Sequence, residues 1–168
     1  MSNRSRREFL RRLTAAAALA PILIADLQAA PERPVITKKD RCPVCGMFVY
    51  KYPKWVAEIV LADGSYYFYD GVKDMFKHYF DVPKFTRGKS ADQIREIYVT
   101  DYYEVELIDA RSAFYVIGSD VLGPMGHELL PFKDRESAQE FLQDHHGQTI
   151  VRFGEVTRKL VYSLDRRS

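Results

Sequence analysis

Cysteine is almost missing from this chain: 168 residues hold only Cys42 and Cys45. There is no second pair, so a zinc site built from two C-x-x-C units is excluded. Histidine is scarce as well. Of His78, His127, His145 and His146, the last two are adjacent, which is not the three-to-five spacing of a zinc-binding pair. An excess of charge is also lacking. Residues 1–29 carry five arginines against Glu8 and Asp26, leaving 20 basic and 21 acidic residues in the remainder. A body so close to neutral gives no electrostatic reason to expect nucleic-acid binding. No long apolar run exists, since Leu13–Ala25 is too short and too alanine-rich to span a bilayer. What remains is 46% hydrophobic and 13% aromatic, enough for a packed core in one domain or in two small halves sharing one.

The first 29 residues have the layout of an export signal: a basic start, a modest apolar run and a small-residue exit. Ser5-Arg6-Arg7-Glu8-Phe9-Leu10-Arg11 matches the twin-arginine pattern, and cleavage is expected after Ala29. Residues 30–40, with Pro31 and Pro34, read as a linker. No cysteine stands straight after the apolar run, and both cysteines lie beyond Pro34, so a lipid anchor is not expected. These features predict a soluble periplasmic protein without stable membrane insertion.

Beyond the linker the pattern predicts an α+β domain over 41–168. Phe48–Tyr52 reads as a strand. Residues 55–69 read as a β-hairpin turning at Ala62-Asp63-Gly64-Ser65. Asp70 is expected to cap a helix whose apolar face carries Val72, Met75, Phe76, Tyr79 and Phe80, ending at Val82-Pro83. Lys84–Gln93 reads as a surface loop, and 94–100, 105–108, 113–118 and 128–132 as strands. Gly118–His127 reads as a glycine-rich loop. Asp134 is expected to cap a second helix ending at Gly147, before a strand at 149–153 and a last helix over 155–164. Phe68-Tyr69-Asp70 and Phe132-Lys133-Asp134 stand in equivalent places, which suggests two ββα units with halves of about 41–93 and 94–168.

The chemistry concentrates in Arg41–Tyr50, RCPVCGMFVY, where three sulfurs fall within six residues. A dithiol oxidoreductase would place C-x-x-C before a helix that lowers the first thiol's pKa. Here a β-prone aromatic run follows. Thiolate and thioether are soft donors that select Cu(I), and Cu(I) accepts two or three of them. On an extended segment Cys45 and Met47 share one side. Met125, in the loop Gly123-Pro124-Met125-Gly126, is placed to approach from elsewhere, while Met75 reads as core and Met1 leaves with the signal. His127 stays open between a supporting ligand and a surface residue. The alternatives are a thiol-dependent enzyme with a carboxylate proton donor (Asp40, Asp70 or Asp101), or a structural module held by a disulfide or zinc.

Cys42–Met47 (C-x-x-C-G-M), Ile97–Tyr102, Asp109–Ser119, Gly123–Phe132 (G-P-M-G-x-E-x-x-P-F) and Ala138–Gly147 occur in the order seen in the NosL proteins, and the chain resembles that family across nearly the whole domain. The resemblance implies a Cu(I) metallochaperone, not an enzyme, that supplies the copper–sulfide centre of nitrous oxide reductase with membrane-linked assembly partners. It also implies two related ββα-type halves in a fold shared with organomercurial lyase. By motif, it makes Cys45 and Met125 the copper ligands, Met47 a further one and Cys42 a helper.

Overall fold

Ala57-Glu58-Ile59-Val60-Leu61 is almost wholly apolar, and it forms a strand buried along its whole length. The computed structural model describes residues 33–167; the expected export signal lies outside the described residues. Strand β1 (Ala57–Leu61) turns at Gly64, whose φ of +83° suits a residue without Cβ, and returns as β2 (Tyr66–Tyr69). On its other edge β1 pairs with β3 (Ile94–Thr100), and β4 (Leu107–Asp109) completes an antiparallel sheet of order β2-β1-β3-β4. β3 and β4, expected to open the second half, therefore belong to the first sheet.

The second sheet is β6-β5-β7, also antiparallel, from β5 (Phe114–Gly123), β6 (Gly126–Phe132) and β7 (Thr149–Arg152). Its pleat divides the apolar residues. Tyr115, Ile117 and Leu129 join the main core, while Val116, Leu130 and Phe132 pack with Ala138 and Phe141 of helix α3 (Arg135–Asp144). The expected glycine-rich loop is the end of this hairpin. Gly123 pairs with Gly126, leaving Pro124-Met125 as a two-residue turn. Pro124 presets the φ of the first turn residue, and Gly126, the first residue of the returning strand, takes φ +82°, which its lack of a Cβ permits.

Helix α1 (Val72–Phe80) begins where β2 ends and is buried on every side from Val72 to His78. Met75 and Phe76 are fully buried, and each contributes about 2–3 kcal/mol of transfer free energy. Asp70 does not cap it. The N-cap is Gly71, and Glu128 of β6 instead accepts the Lys73 N–H at 2.8 Å. Asp134 does cap α3, accepting from Ser137 N–H at 2.8 Å. At the other end of α3 His146, not Gly147, takes the left-handed conformation (φ +53°), and Gly147 N–H returns to the Leu142 carbonyl at 2.8 Å. Gly147 is required for close approach: a Cβ there would lie 2.7 Å from Val116 Cγ1. A one-turn helix α2 (Val82–Phe85) follows α1, and α4 (Arg158–Leu164) packs Val161 and Leu164 into the main core. The order strand–strand–helix thus occurs twice, as β1-β2-α1 and β5-β6-α3. Among the described residues no helix is long and apolar enough to cross a membrane.

Candidate metal centre

The cysteine segment is not extended. Cys42 N–H donates to the Met47 carbonyl and Gly46 N–H to the Cys42 carbonyl, both at 2.9 Å, closing a turn that Gly46 permits with φ +78°. The expected strand over Phe48–Tyr52 is reduced to a single Arg41–Phe48 bridge and a 3-10 turn over Val49–Lys51. Arg41 straps the turn: its guanidinium lies 3.7 Å over the Phe48 ring and donates to the Gly46 carbonyl at 2.8 Å. The extended segment on which Cys45 and Met47 are expected to share a side is therefore not formed. What the turn does instead is aim both thiols inward. Cys42 is 1% exposed and belongs to the main core; Cys45 is half-buried at its margin.

Both cysteines are free thiols, and each meets a carboxylate: Asp70, between β2 and α1, or Asp74, in the first turn of α1. Cys42 Sγ donates to Asp74 Oδ2 at 3.5 Å, and Cys45 Sγ to Asp70 Oδ1 at 3.1 Å. One donor atom from each of the four residues lies within 4.8 Å of all the others. Asp70 and Asp74 are fully buried, and Asp70 Oδ2 has no hydrogen-bond partner among the described residues. Two thiols, two buried carboxylates and an orphaned anionic oxygen are a donor set that suits a cation. Burial, with the Asp74 charge beside it, pushes the Cys42 thiol well above the ordinary range. Burial pushes Cys45 up to about 12, and the Asp70 hydrogen bond adds to the effect. Both are thus protonated at neutral pH, the opposite of a thioredoxin-type nucleophile.

The cluster is framed by lysines. Lys77 Nζ lies 3.0 Å from Asp74 Oδ1 and 3.1 Å from Asp165. Lys73, with no exposed side-chain surface, reaches Asp165 at 3.1 Å and donates to the Met125 carbonyl at 2.7 Å. The Met125 turn is therefore tied to the same helical turn that presents the carboxylates. Met125 itself is 37% exposed. Met47 is half-buried, with its carbonyl engaged by Cys42. Met75 is core, as its helical spacing implies. His127 is half-buried and pairs with Leu122 across the hairpin.

Among the described residues no histidine joins the cluster. His78 is buried between the Tyr69 hydroxyl (2.5 Å from Nδ1) and the Thr86 hydroxyl (3.1 Å from Nε2), and burial pushes it down to about 4. His145 stacks on Phe141 and meets Asp120 at 3.1 Å. Of the carboxylates considered from sequence, Asp101 accepts three backbone N–H groups and Asp40 accepts Thr37 N–H, so only Asp70 reaches a thiol. Asp74 was hidden in sequence by its place on a helix. Its spacing of four residues from Asp70 is the signal that could have revealed the pair.

The family model described as NosL matches residues 34–161. The copper-binding lipoprotein NosL of Stutzerimonas stutzeri is 27% identical over 144 residues, covering 81% of this chain and 72% of its own. The crystal structure of the copper chaperone NosL from Shewanella denitrificans has the same fold, with a TM-score of 0.66 and 24% identity over 78% of this chain and 99% of that one. A solution structure of apo-NosL from Achromobacter cycloclastes gives a TM-score of 0.45 at 27% identity, covering 62% of this chain and 87% of that one. With the matched span holding both thiols, both carboxylates and the Met125 turn, the chain belongs to the NosL family.

Proposed function

We propose that this protein is a periplasmic carrier of Cu(I) that supplies copper for the copper–sulfide centre of nitrous oxide reductase. The observation that carries the reading is the convergence of two free thiols at Cys42 and Cys45 in a chain of the NosL family. Two relatives are named as a copper-binding lipoprotein and a copper chaperone, which supports copper as the cargo. Cys45 and Met125 are the principal ligands in this reading, with Met47 and Cys42 beside them. Their sulfurs are soft donors suited to Cu(I), and a partly exposed Cys45 and Met125 allow a partner to take the ion by ligand exchange. The raised thiol pKa values disfavour nucleophilic thiol chemistry and support a carrier over an enzyme. Export by the twin-arginine route, without a lipid anchor, completes the proposal. Nitrous oxide reductase and its assembly factors are the partners by family resemblance.

Anaerobic Cu(I) titration of the reduced protein against a competing chelator tests the site. Cys45→Ala and Met125→Leu are each expected to weaken binding at least about tenfold. Affinities equal to the unaltered protein would overturn the reading. The client is tested in a denitrifying strain lacking this protein. A reductase isolated from it with its full copper content would remove that part of the proposal.

A further inference from the structure

We propose that the outer face of the first sheet carries a recognition pocket for an arginine side chain of a partner protein, with the Glu58 carboxylate at its floor. The pocket lies on the opposite side of β1 from the thiols. Ala57, Ile59 and Leu61 of that strand turn into the main core with Cys42, so strand alternation sends Glu58 the other way. The pocket therefore holds or fails independently of the copper reading.

Shape is the first support. A cavity of about 320 Å3 opens over Glu58, a volume at the small end of ligand sites and suited to one long side chain. Its floor is Val56, Glu58 and Thr100, all buried, with Glu58 only 4% exposed. Its rim is Tyr50, Val105 and Leu107, which are between 37% and 44% exposed. An entering group thus passes an apolar and aromatic collar before it meets a polar end.

The hydrogen-bonding sense of the floor selects the ligand. Among the described residues lining the cavity, Glu58 alone is charged. The Thr100 hydroxyl donates its one proton to the Val56 carbonyl at 2.8 Å, which leaves it only lone pairs to offer. Carboxylate and hydroxyl both accept, so the matching group is a cationic donor. A guanidinium meets this demand: its planar fork pairs with a carboxylate, and its face stacks on an aromatic ring such as Tyr50. The apolar stem of arginine is long enough to lie against Val105 and Leu107 while its head reaches the floor.

Two features point to a protein segment as the source of that arginine. Val105 also lines a second hollow of about 320 Å3 beside Trp55 and Tyr103, so the apolar surface continues along this face. Trp55 then carries it to the base of the Met125 turn, where a Cβ on Gly123 would lie 3.0 Å from Trp55 Cζ3. Val105 itself is an exposed β-branched residue at φ +58°. Asp101 holds it there: its carbonyl accepts Val105 N–H at 3.0 Å, and its carboxylate accepts the N–H groups of Tyr103 and Glu104. Backbone strain of this kind gathers at ligand clamps. Here it sets an apolar side chain where the two hollows join.

The test uses the reduced, metal-free protein and a short blocked peptide with a central arginine between alanines, followed by two-dimensional NMR. Twin peptides carry citrulline, the neutral isostere, or glutamate at the centre. The arginine peptide should shift the amide signals of Tyr50, Glu58 and Val105 saturably and bind at least about tenfold tighter than either twin. Glu58→Gln should abolish that preference. Val105→Asn should weaken the arginine peptide at least about threefold while raising Tm, a combination that a purely structural role would not give. Absence of saturable shifts up to about 10 mM arginine peptide, or equal binding of the citrulline twin, would overturn the proposal. So would a folded Glu58→Gln protein that keeps its preference for arginine. The twin-peptide comparison needs no variant, so it decides the matter even if Glu58→Gln fails to fold. Propylguanidinium alone binding as tightly as the peptide would overturn the assignment to a protein partner. Copper enters none of these readouts, so failure of the copper reading is scored separately.

Discussion

Glu128 offers the sharpest test of how the Met125 hairpin is held. Its side chain is 2% exposed, one oxygen accepts the Lys73 N–H, and the other has no hydrogen-bond partner among the described residues. Burial pushes its carboxyl up to about 8 from an ordinary 4.5. A raised pKa means that the native state holds the proton more tightly than the unfolded chain. The stabilisation is therefore fully present below about pH 4.5 and is lost as pH rises through about 8. At about 1.4 kcal/mol per pH unit the native state forfeits roughly 3 kcal/mol between pH 5 and pH 8 through this one group. Glu128→Gln keeps an acceptor for Lys73 N–H and nearly the same shape, but it does not titrate. Urea unfolding of both proteins at pH 5, 6.5 and 8 should show the glutamine variant gaining relative to the parent by roughly 3 kcal/mol across that range. Other titrating groups cancel in the difference. If the two stabilities run parallel with pH, Glu128 is ionised beside Lys73 throughout and the reasoning is refuted.

Further outcomes follow from the same geometry. Because burial keeps both thiols protonated up to about pH 12 or beyond, each thiolate that binds Cu(I) must release a proton. Log K for Cu(I) should rise by about two per pH unit between pH 6 and 8 if both cysteines bind, and by about one in Cys42→Ser; a flat profile by chelator competition would contradict thiolate ligation. Val105 sits at φ +58° in an exposed turn, so Val105→Asn should raise stability by about 1 kcal/mol, and a lower Tm would show that the valine is not strained. Gly71 is extended, yet a Cβ there would lie 2.5 Å from Glu128 Oε1, so Gly71→Ala should cost about 1–3 kcal/mol by crowding. That cost should shrink in a Glu128→Ala background, whereas the backbone cost of Gly64→Ala, where φ is +83° and no atom is within 4 Å, should not; unfolding of the double variants decides it.

Local patterns were readable in the sequence wherever the physics was local. The 57–69 hairpin, β3 and the Asp134 cap follow from alternation, a glycine turn and an N-cap preference acting within a few residues. The misreadings share one cause, competition from distant groups. Asp70 stands before α1 as Asp134 stands before α3, but a thiol 25 residues earlier takes its carboxylate and Glu128 supplies the helix cap. Phe48–Tyr52 has strand composition, yet Arg41 draws the chain into a closed turn. Gly123-Pro124-Met125-Gly126 has loop composition but fits a two-residue turn, because β5 and β6 pair up to its edges. The sulfurs of the candidate site were visible as a motif. Its carboxylates were not, since an aspartate within a helix carries no mark of burial until the chain folds around it.

Lys73 grips the Met125 turn by its backbone carbonyl and makes no demand on the side chain. Position and chemistry are thereby uncoupled at residue 125. A thioether, an imidazole or a plain alkyl group can be installed there with the turn held as before. The hairpin acts as a fixed socket with an interchangeable bit, and a series of substitutions at that one position can vary the side chain on show while leaving the architecture in place.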